Sequence, residues 1–327
     1  MQISYDNNFC AIKFKLIKYT FNNMKINIKI LSELFKTNKS EIKNFCSHLV
    51  KKKIIFNYIK DEERDKVLVN ILKRIRLDSQ IIAGKGRTEK WHNGWGEALS
   101  LYKKSNSLTP KFYTARDNKY FRLGGELIKS RSPNFEVEMV NIYRNWYFRK
   151  YFKNVENVYE FGAGTGHNMV ELSKIFPNKK LYASDFVSTS VDLLKLVSKK
   201  KKLNMKCFQF DMIKPNKKLE IKNNSAIYTS GALEQLSGKI YDFINFVIAK
   251  KPKIVLHVEP APQFYDTSKL VDFTADFFQR KRGYTDNLLE YLKKLEKKNK
   301  IKILKKMKSP FGSLMIEGYN FIAWRPK

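Results

Sequence analysis

The chain has 327 residues, is 43% hydrophobic, and carries a formal charge of +33 from 64 basic and 31 acidic side chains. That length suits one large domain or two modest ones, with enough apolar residues for a core. No apolar run approaches the ~20 residues of a membrane span, and neither the three cysteines nor the four histidines follow a metal-binding or redox spacing.

The start lacks a basic stretch followed by an apolar run, so a cytoplasmic protein without a membrane span is expected. Cys10, Cys46 and Cys207 then read as buried thiols in a reducing compartment. The charge is spread along the chain: residues 1–150 hold 31 basic and 14 acidic residues, and the remainder 33 and 17. An even spread fits a lysine-rich composition better than a nucleic-acid-binding tail, so no specific nucleic-acid partner is expected.

In chain order, Ile12, Phe14, Leu16 and Tyr19 hint at a strand. Apolar residues recur at helical spacing over 26–35. Ser40 reads as the N-cap of a helix over 41–52, with Ile42, Phe45, Cys46, Leu49 and Val50 on one side. A third helical stretch runs over 62–75. Residues 82–101 change character, with Gly84, Gly86, Trp91, Gly94, Trp95 and Gly96 close together. They read as a shaped loop whose tryptophans either line a pocket for a sugar or base or simply cap the core. Lys85, Arg87, Arg116, Arg122 and Arg131 are candidate phosphate contacts or solvated charges. An aromatic helix over 137–152 closes this part. Residues 1–152 are therefore expected to form a mainly helical accessory region that sets ligand specificity, with the junction near 153.

Next comes Val158-Tyr159-Glu160-Phe161-Gly162-Ala163-Gly164-Thr165-Gly166. An apolar run with an acid near its end meets three glycines at alternate positions, and a helix opens at His167. This is a strand, a tight turn and a helix start, which brings backbone close to a ligand. A dinucleotide fingerprint would place its third glycine one residue later. Residues 180–185 read as a second strand ending in Asp185, near the ~20-residue offset at which such folds hold ribose hydroxyls. A helix over 188–199 and a third strand over 205–211, ending in Asp211, follow. Strands over 225–229 and 253–260, helices over 232–249, 269–280 and 287–296, and a late strand pair over 301–304 and 316–324 complete an α/β alternation. Acids at successive strand ends fit the rule that open α/β sheets bind ligands at their carboxyl edge.

The E-x-G-x-G-x-G turn resembles motif I of the class I S-adenosylmethionine (SAM) methyltransferases, and the resemblance covers residues 153–327. It implies a doubly wound, mostly parallel, seven-stranded Rossmann-like sheet with SAM as cofactor. It also implies cofactor contacts from Glu160, Gly162, Gly164, Gly166, Asp185, Asp211 and Met212. A narrower likeness is to a group of bacterial sugar O-methyltransferases associated with surface-polysaccharide and nonulosonic-acid pathways. It rests on Tyr159-Glu160-Phe161-Gly162, Gly166-His167-Asn168, Gly231-Ala232-Leu233-Glu234-Gln235, His257-Val258-Glu259-Pro260 and Phe311-Gly312-Ser313. It implies a small-molecule acceptor, a sugar or sugar nucleotide. Leu233-Glu234-Gln235 also resembles the E-x-x-E-H segment of ubiquinone-pathway O-methyltransferases, which can hold magnesium. Only Glu234 remains of that set, so no metal is expected.

A sugar hydroxyl needs a base, and Glu234, His257 and Glu259 are the candidates at the ends of the fourth and fifth strands. The alternatives are a nucleic-acid methyltransferase and an inactive SAM-binding scaffold. Thr229-Ser230-Gly231 stands where amino-methylating enzymes resemble one another in an [N/D/S]-P-P-[Y/F/W] motif, which counts against the first. The intact Glu160, glycine turn, Asp185 and Asp211 count against the second.

Overall fold

The computed structural model describes residues 23–50, 54–79, 87–108 and 119–327. Cys10, the strand hint at 12–19, Lys85 and Arg116 lie outside the described residues.

The N-terminal part holds β1 (Met24–Lys25), α1 (Ile28–Leu34), α2 (Lys39–Val50), β2 (Ile55–Tyr58), α3 (Asp61–Leu77), α4 (Arg87–Ser105), β3 (Tyr120–Leu123), β4 (Glu126–Ser130) and α5 (Phe135–Tyr151). Helix α2 starts earlier than its sequence suggests. Asn38, not Ser40, accepts from the Glu41 amide at 2.8 Å.

The second part continues with β5 (Asn157–Phe161), α6 (His167–Ile175), β6 (Lys180–Asp185), α7 (Ser188–Lys200), β7 (Met205–Gln209), β8 (Ser225–Ser230), α8 (Tyr241–Ala249) and β9 (Ile254–Glu259). Then come α9 (Leu270–Lys281), α10 (Leu288–Lys297), β10 (Ile301–Met307), β11 (Phe311–Gly312) and β12 (Asn320–Pro326). The helix expected over 232–249 is broken: a 3-10 turn at Leu233–Leu236 ends at Ser237 and Gly238, both with positive φ, before α8 begins.

Seven strands form the main sheet in the order β10-β12-β9-β8-β5-β6-β7. β5 to β9 pair in parallel. β12 is antiparallel to both β9 and β10, so the sheet is mixed. Every residue of β5 and β9 is buried, as expected of strands covered on both faces. Alternate residues feed two cores. Val158, Ala183, Tyr228 and Leu256 pack with α5, α6 and α7 residues such as Trp146, Met169 and Leu194. Tyr159, Phe161, Ile227 and Val255 pack with Phe243, Ile244 and Val247 of α8 and Leu288 and Leu292 of α10. Helices therefore cover both faces.

The accessory region is largely helical, as expected, but also holds strands. It contains a second, antiparallel sheet in the order β1-β2-β4-β3-β11. β3 and β4 are joined through Gly124 and Gly125, both at positive φ. Such a two-residue Gly-Gly connection is a hairpin signal that the sequence does carry. The last strand, β11, comes from the far end of the chain and pairs Phe311 with Leu123. Arg122, fully buried, ties the same regions together. It donates to the Leu314 carbonyl (2.9 Å), the Val271 carbonyl (2.5 Å) and Thr274 Oγ1 (3.0 Å). That structural role replaces the phosphate contact proposed for it.

Gly312 in β11 has no room for a side chain. A Cβ there would lie 2.1 Å from the Ile316 carbonyl oxygen and 2.6 Å from Glu317 Cα. Backbone cannot yield as a flexible side chain does, so Gly312→Ala is expected to cost about 1–3 kcal/mol. Gly94, with nothing within 4 Å, is the control: Gly94→Ala should be neutral or stabilise α4 by up to about 1 kcal/mol. Thermal melts of the two variants check this. Equal melting of Gly312→Ala and wild type would show that β11 is free to shift.

Candidate functional site

The glycine turn at the end of β5 is built by three residues in the left-handed region: Gly162 (φ 75°), Gly164 (φ 53°) and Gly166 (φ 75°). That region favours glycine strongly. The space around the turn is also closed. A Cβ on Gly162 would sit 2.4 Å from Ala232 Cβ, and one on Gly166 2.6 Å from Leu194 Cδ2. The amides of Gly162 and Ala163 both donate to the Ser184 carbonyl, at 2.9 and 2.8 Å, which locks the turn against β6.

Glu160 is buried just before the turn. Its Oε1 accepts from Asn168 Nδ2 at 2.7 Å, and Asn168 Oδ1 in turn accepts from Arg144 at 2.9 Å. Its Oε2 has no partner. Burial pushes the carboxyl up to about 8, against the opposing effects of the Asn168 bond and the Arg144 charge. A buried carboxylate with one oxygen orphaned is a standing demand for a donor or a cation.

Asp185 ends β6 and faces the turn. Its Oδ2 accepts from the Gly164 amide (3.0 Å) and its Oδ1 from the Val187 amide (3.3 Å). Burial raises this carboxyl, while these backbone bonds oppose the shift. Asp211 lies two residues beyond β7 rather than within it. It is exposed and accepts from the Ile213 amide at 2.8 Å, whereas Met212 is buried. Gly162, Asp185, Asp211 and Met212 line one cleft together with Phe186, Phe210, Ala232 and Leu236. The fold thus brings Gly162, Asp185, Asp211 and Met212 of the sequence-derived cofactor set to one cleft, whereas Glu160, Gly164 and Gly166 are not in its lining.

The cleft has a wall that sequence reading did not shape correctly. The Trp91–Trp95 segment is helix α4, not a loop. Arg87, Trp91 and Trp95 all line the cleft. The signal was present: Trp91, Trp95, Ala98, Leu99 and Tyr102 follow helical spacing, but Gly94 and Gly96 masked it.

The three candidate bases separate in kind. His257 is fully buried and its Nδ1 lies 2.9 Å from Thr229 Oγ1. Burial pushes it down to about 3, so it is neutral. Glu259 Oε2 accepts from the amides of Ala232 (2.9 Å) and Leu233 (3.1 Å), while Oε1 has no partner. Burial pushes Glu259 up to about 7, with the Thr229 hydroxyl and these amides opposing. Glu234 is held well above the usual carboxylate range by burial and then by the Glu259 charge. It accepts from Gln235 Nε2 at 2.6 Å. Among the described residues, no group of three or more His, Cys, Asp or Glu is placed to hold a metal ion. Among the described residues, too, no helix is long and apolar enough to cross a membrane.

No family model and no curated protein matches the chain. Solved structures that it resembles include a geranyl diphosphate C-methyltransferase from Streptomyces coelicolor A3(2), in complex with Mg2+, geranyl diphosphate and S-adenosyl-L-homocysteine. That match has 12% identity and a TM-score of 0.44, over 75% of this chain and all of the other. The mitomycin 7-O-methyltransferase MmcR is similar at 11% identity and a TM-score of 0.41, over 93% of this chain and 88% of the other. A SAM-dependent methyltransferase from Aquifex aeolicus is similar at 15% identity and a TM-score of 0.39, over 53% and 82%. Likeness at this level carries no residue role or substrate to this chain.

Proposed function

We propose that this protein is a SAM-dependent O-methyltransferase acting on a hydroxyl of a small molecule, a sugar or sugar nucleotide. The observation that carries the reading is the buried Glu160 with its orphaned Oε2, set beside a left-handed glycine turn and Asp185. Those groups suit the cofactor's ammonium, its close passage over backbone, and its ribose. Asp211 and Met212 suit the adenine. Bound there, SAM would supply an electrophilic methyl group. The protein's own part is to align an acceptor hydroxyl and take its proton. Glu259, whose Oε1 has no partner and whose carboxyl is pushed up to about 7, is the proposed base. His257, through Thr229, positions it. Residues 1–152 are proposed to shape the acceptor side of residues 153–327, with which they share a core.

The first test is calorimetric titration with S-adenosylhomocysteine (SAH). Asp185→Asn keeps one acceptor for the turn but weakens the ribose contact. It should cost about 0.5–1.5 kcal/mol, roughly two- to twelvefold in affinity. Unchanged affinity would remove Asp185 from the site. The net charge of +33 supports RNA as a second acceptor class. A methyl-transfer screen against free sugars, sugar nucleotides and RNA separates the two. Turnover on RNA that persists at high salt would favour the second, because binding by charge alone falls steeply with salt.

A further inference from the structure

The cleft at the carboxyl edge of the main sheet is narrowed by the protein's own Arg87, Trp91 and Trp95. The space left in it is a cavity of about 40 Å³, room for a few waters at roughly 10–15 Å³ each. The Trp95 ring lies so close to the glycine turn that a Cβ on Gly164 would meet it at 2.8 Å. Trp91 stacks on Trp95, with centroids 5.4 Å apart and planes 24° apart. The Arg87 guanidinium lies 4.3 Å from the centroid of the Phe186 ring, and the carboxylates acting on it are Asp185, Asp211 and Glu234.

Arg87 is a flat group, rich in N–H, stacked on an aromatic ring among acids. An adenosine makes the same demands: its base stacks, and its hydroxyls and amine donate to carboxylates. We propose that α4 is a built-in plug: Arg87, Trp91 and Trp95 take the place of the cofactor in its cleft, and the cofactor enters by displacing them. This rests on the cofactor reading above.

Two features make the seat reversible. Arg87 Nε and Trp91 Nε1 are buried without a hydrogen-bond partner, so leaving the cleft returns both donors to water. Helix α4 is also more deeply buried at its far end than at the cleft. Tyr102 is its one buried residue and packs with Val170, Leu193 and Val197. Lys200 reaches Asn106 just past its end, at 2.9 Å. Nearer the plug, Thr189 Oγ1 donates to the His92 carbonyl at 2.9 Å. Gly94 and Gly96 lie between the Tyr102 anchor and Trp91, where glycine lowers the cost of bending or unwinding a helix.

Trp146 and Trp324 are fully buried, so a ligand-induced change in tryptophan emission reports mainly Trp91 and Trp95. SAH titrations of wild type, Trp95→Ala and Arg87→Gln, followed by calorimetry and by emission, test the proposal. SAH should shift wild-type emission to the red. Both variants should bind SAH about tenfold more tightly, as expected if the open cleft is populated about one part in ten. Weaker or unchanged binding by both variants overturns the plug and makes these side chains part of the ligand's clamp or bystanders. If Trp95→Ala does not fold, Arg87→Gln carries the test alone. Binding by a variant but not by wild type supports a tight plug. If circular dichroism shows all three proteins folded and none binds SAH, the cofactor reading itself fails, and the plug with it.

Discussion

Glu259→Gln is expected to slow methyl transfer by about 10²- to 10⁴-fold while leaving SAH affinity near wild type. The reason is the division of labour between two buried acids. Glu234 is pushed well above the usual carboxylate range by burial and by its neighbour's charge. Glu259, pushed up to about 7, is the acid that can accept a proton near neutral pH, and its Oε1 has no partner. The wild-type rate should accordingly rise as pH passes up through about 7 and then level off. Glu234→Gln should shift that midpoint little, since what acts on Glu259 is burial, the Thr229 hydroxyl and the backbone amides of residues 232–234. His257→Asn should alter the rate less than Glu259→Gln, because the imidazole acts only through Thr229. Single-turnover kinetics at saturating SAM, across pH, would measure all three. A Glu259→Gln enzyme within a few-fold of wild type would place the base elsewhere.

Glu160→Gln should weaken SAH binding by about 1.5–3 kcal/mol, roughly 12- to 150-fold, if its carboxylate meets the ligand's ammonium. The sign of the pH effect follows from its raised value of about 8. Below that value Glu160 is mostly protonated before binding, and a cationic ligand prefers it ionised. Binding then releases a proton, and affinity grows with pH by up to about tenfold per unit until Glu160 is ionised beforehand. Calorimetry at about pH 7 in two buffers of different ionisation enthalpy reads that proton directly. In Glu160→Gln the release should vanish. A wild-type affinity flat across this range, with no proton released, would take Glu160 away from the ligand's charge.

Much of this was legible in the chain itself. The main sheet was, because most of its strands are short apolar runs and most of its crossovers are helices with one apolar side; the β7–β8 connection alone of the parallel crossovers has no helix. The glycine turn was, because its backbone angles favour glycine. The position of Asp185 beside that turn was legible from its distance along the chain. The small antiparallel sheet was harder to see. β1 and β11 are two residues long, too short for any periodicity, and β11 finds its partner almost 190 residues away in sequence.

The sequence determined which residue types meet at the sheet edge: an acid before the turn, an acid after the next strand, and carboxyls flanking the fourth and fifth strands. Local chemistry suffices for that, since strand ends and turns are short-range events. Only the tertiary structure decided how those groups are charged and what lies over them. Burial sets the values of Glu160, Glu234, His257 and Glu259, and burial is a property of the packed whole. Likewise, two tryptophans and an arginine read as a loop until α4 packs on α7 and turns them into the cleft. Docking between distant helices depends on shape and on contacts that no local window contains.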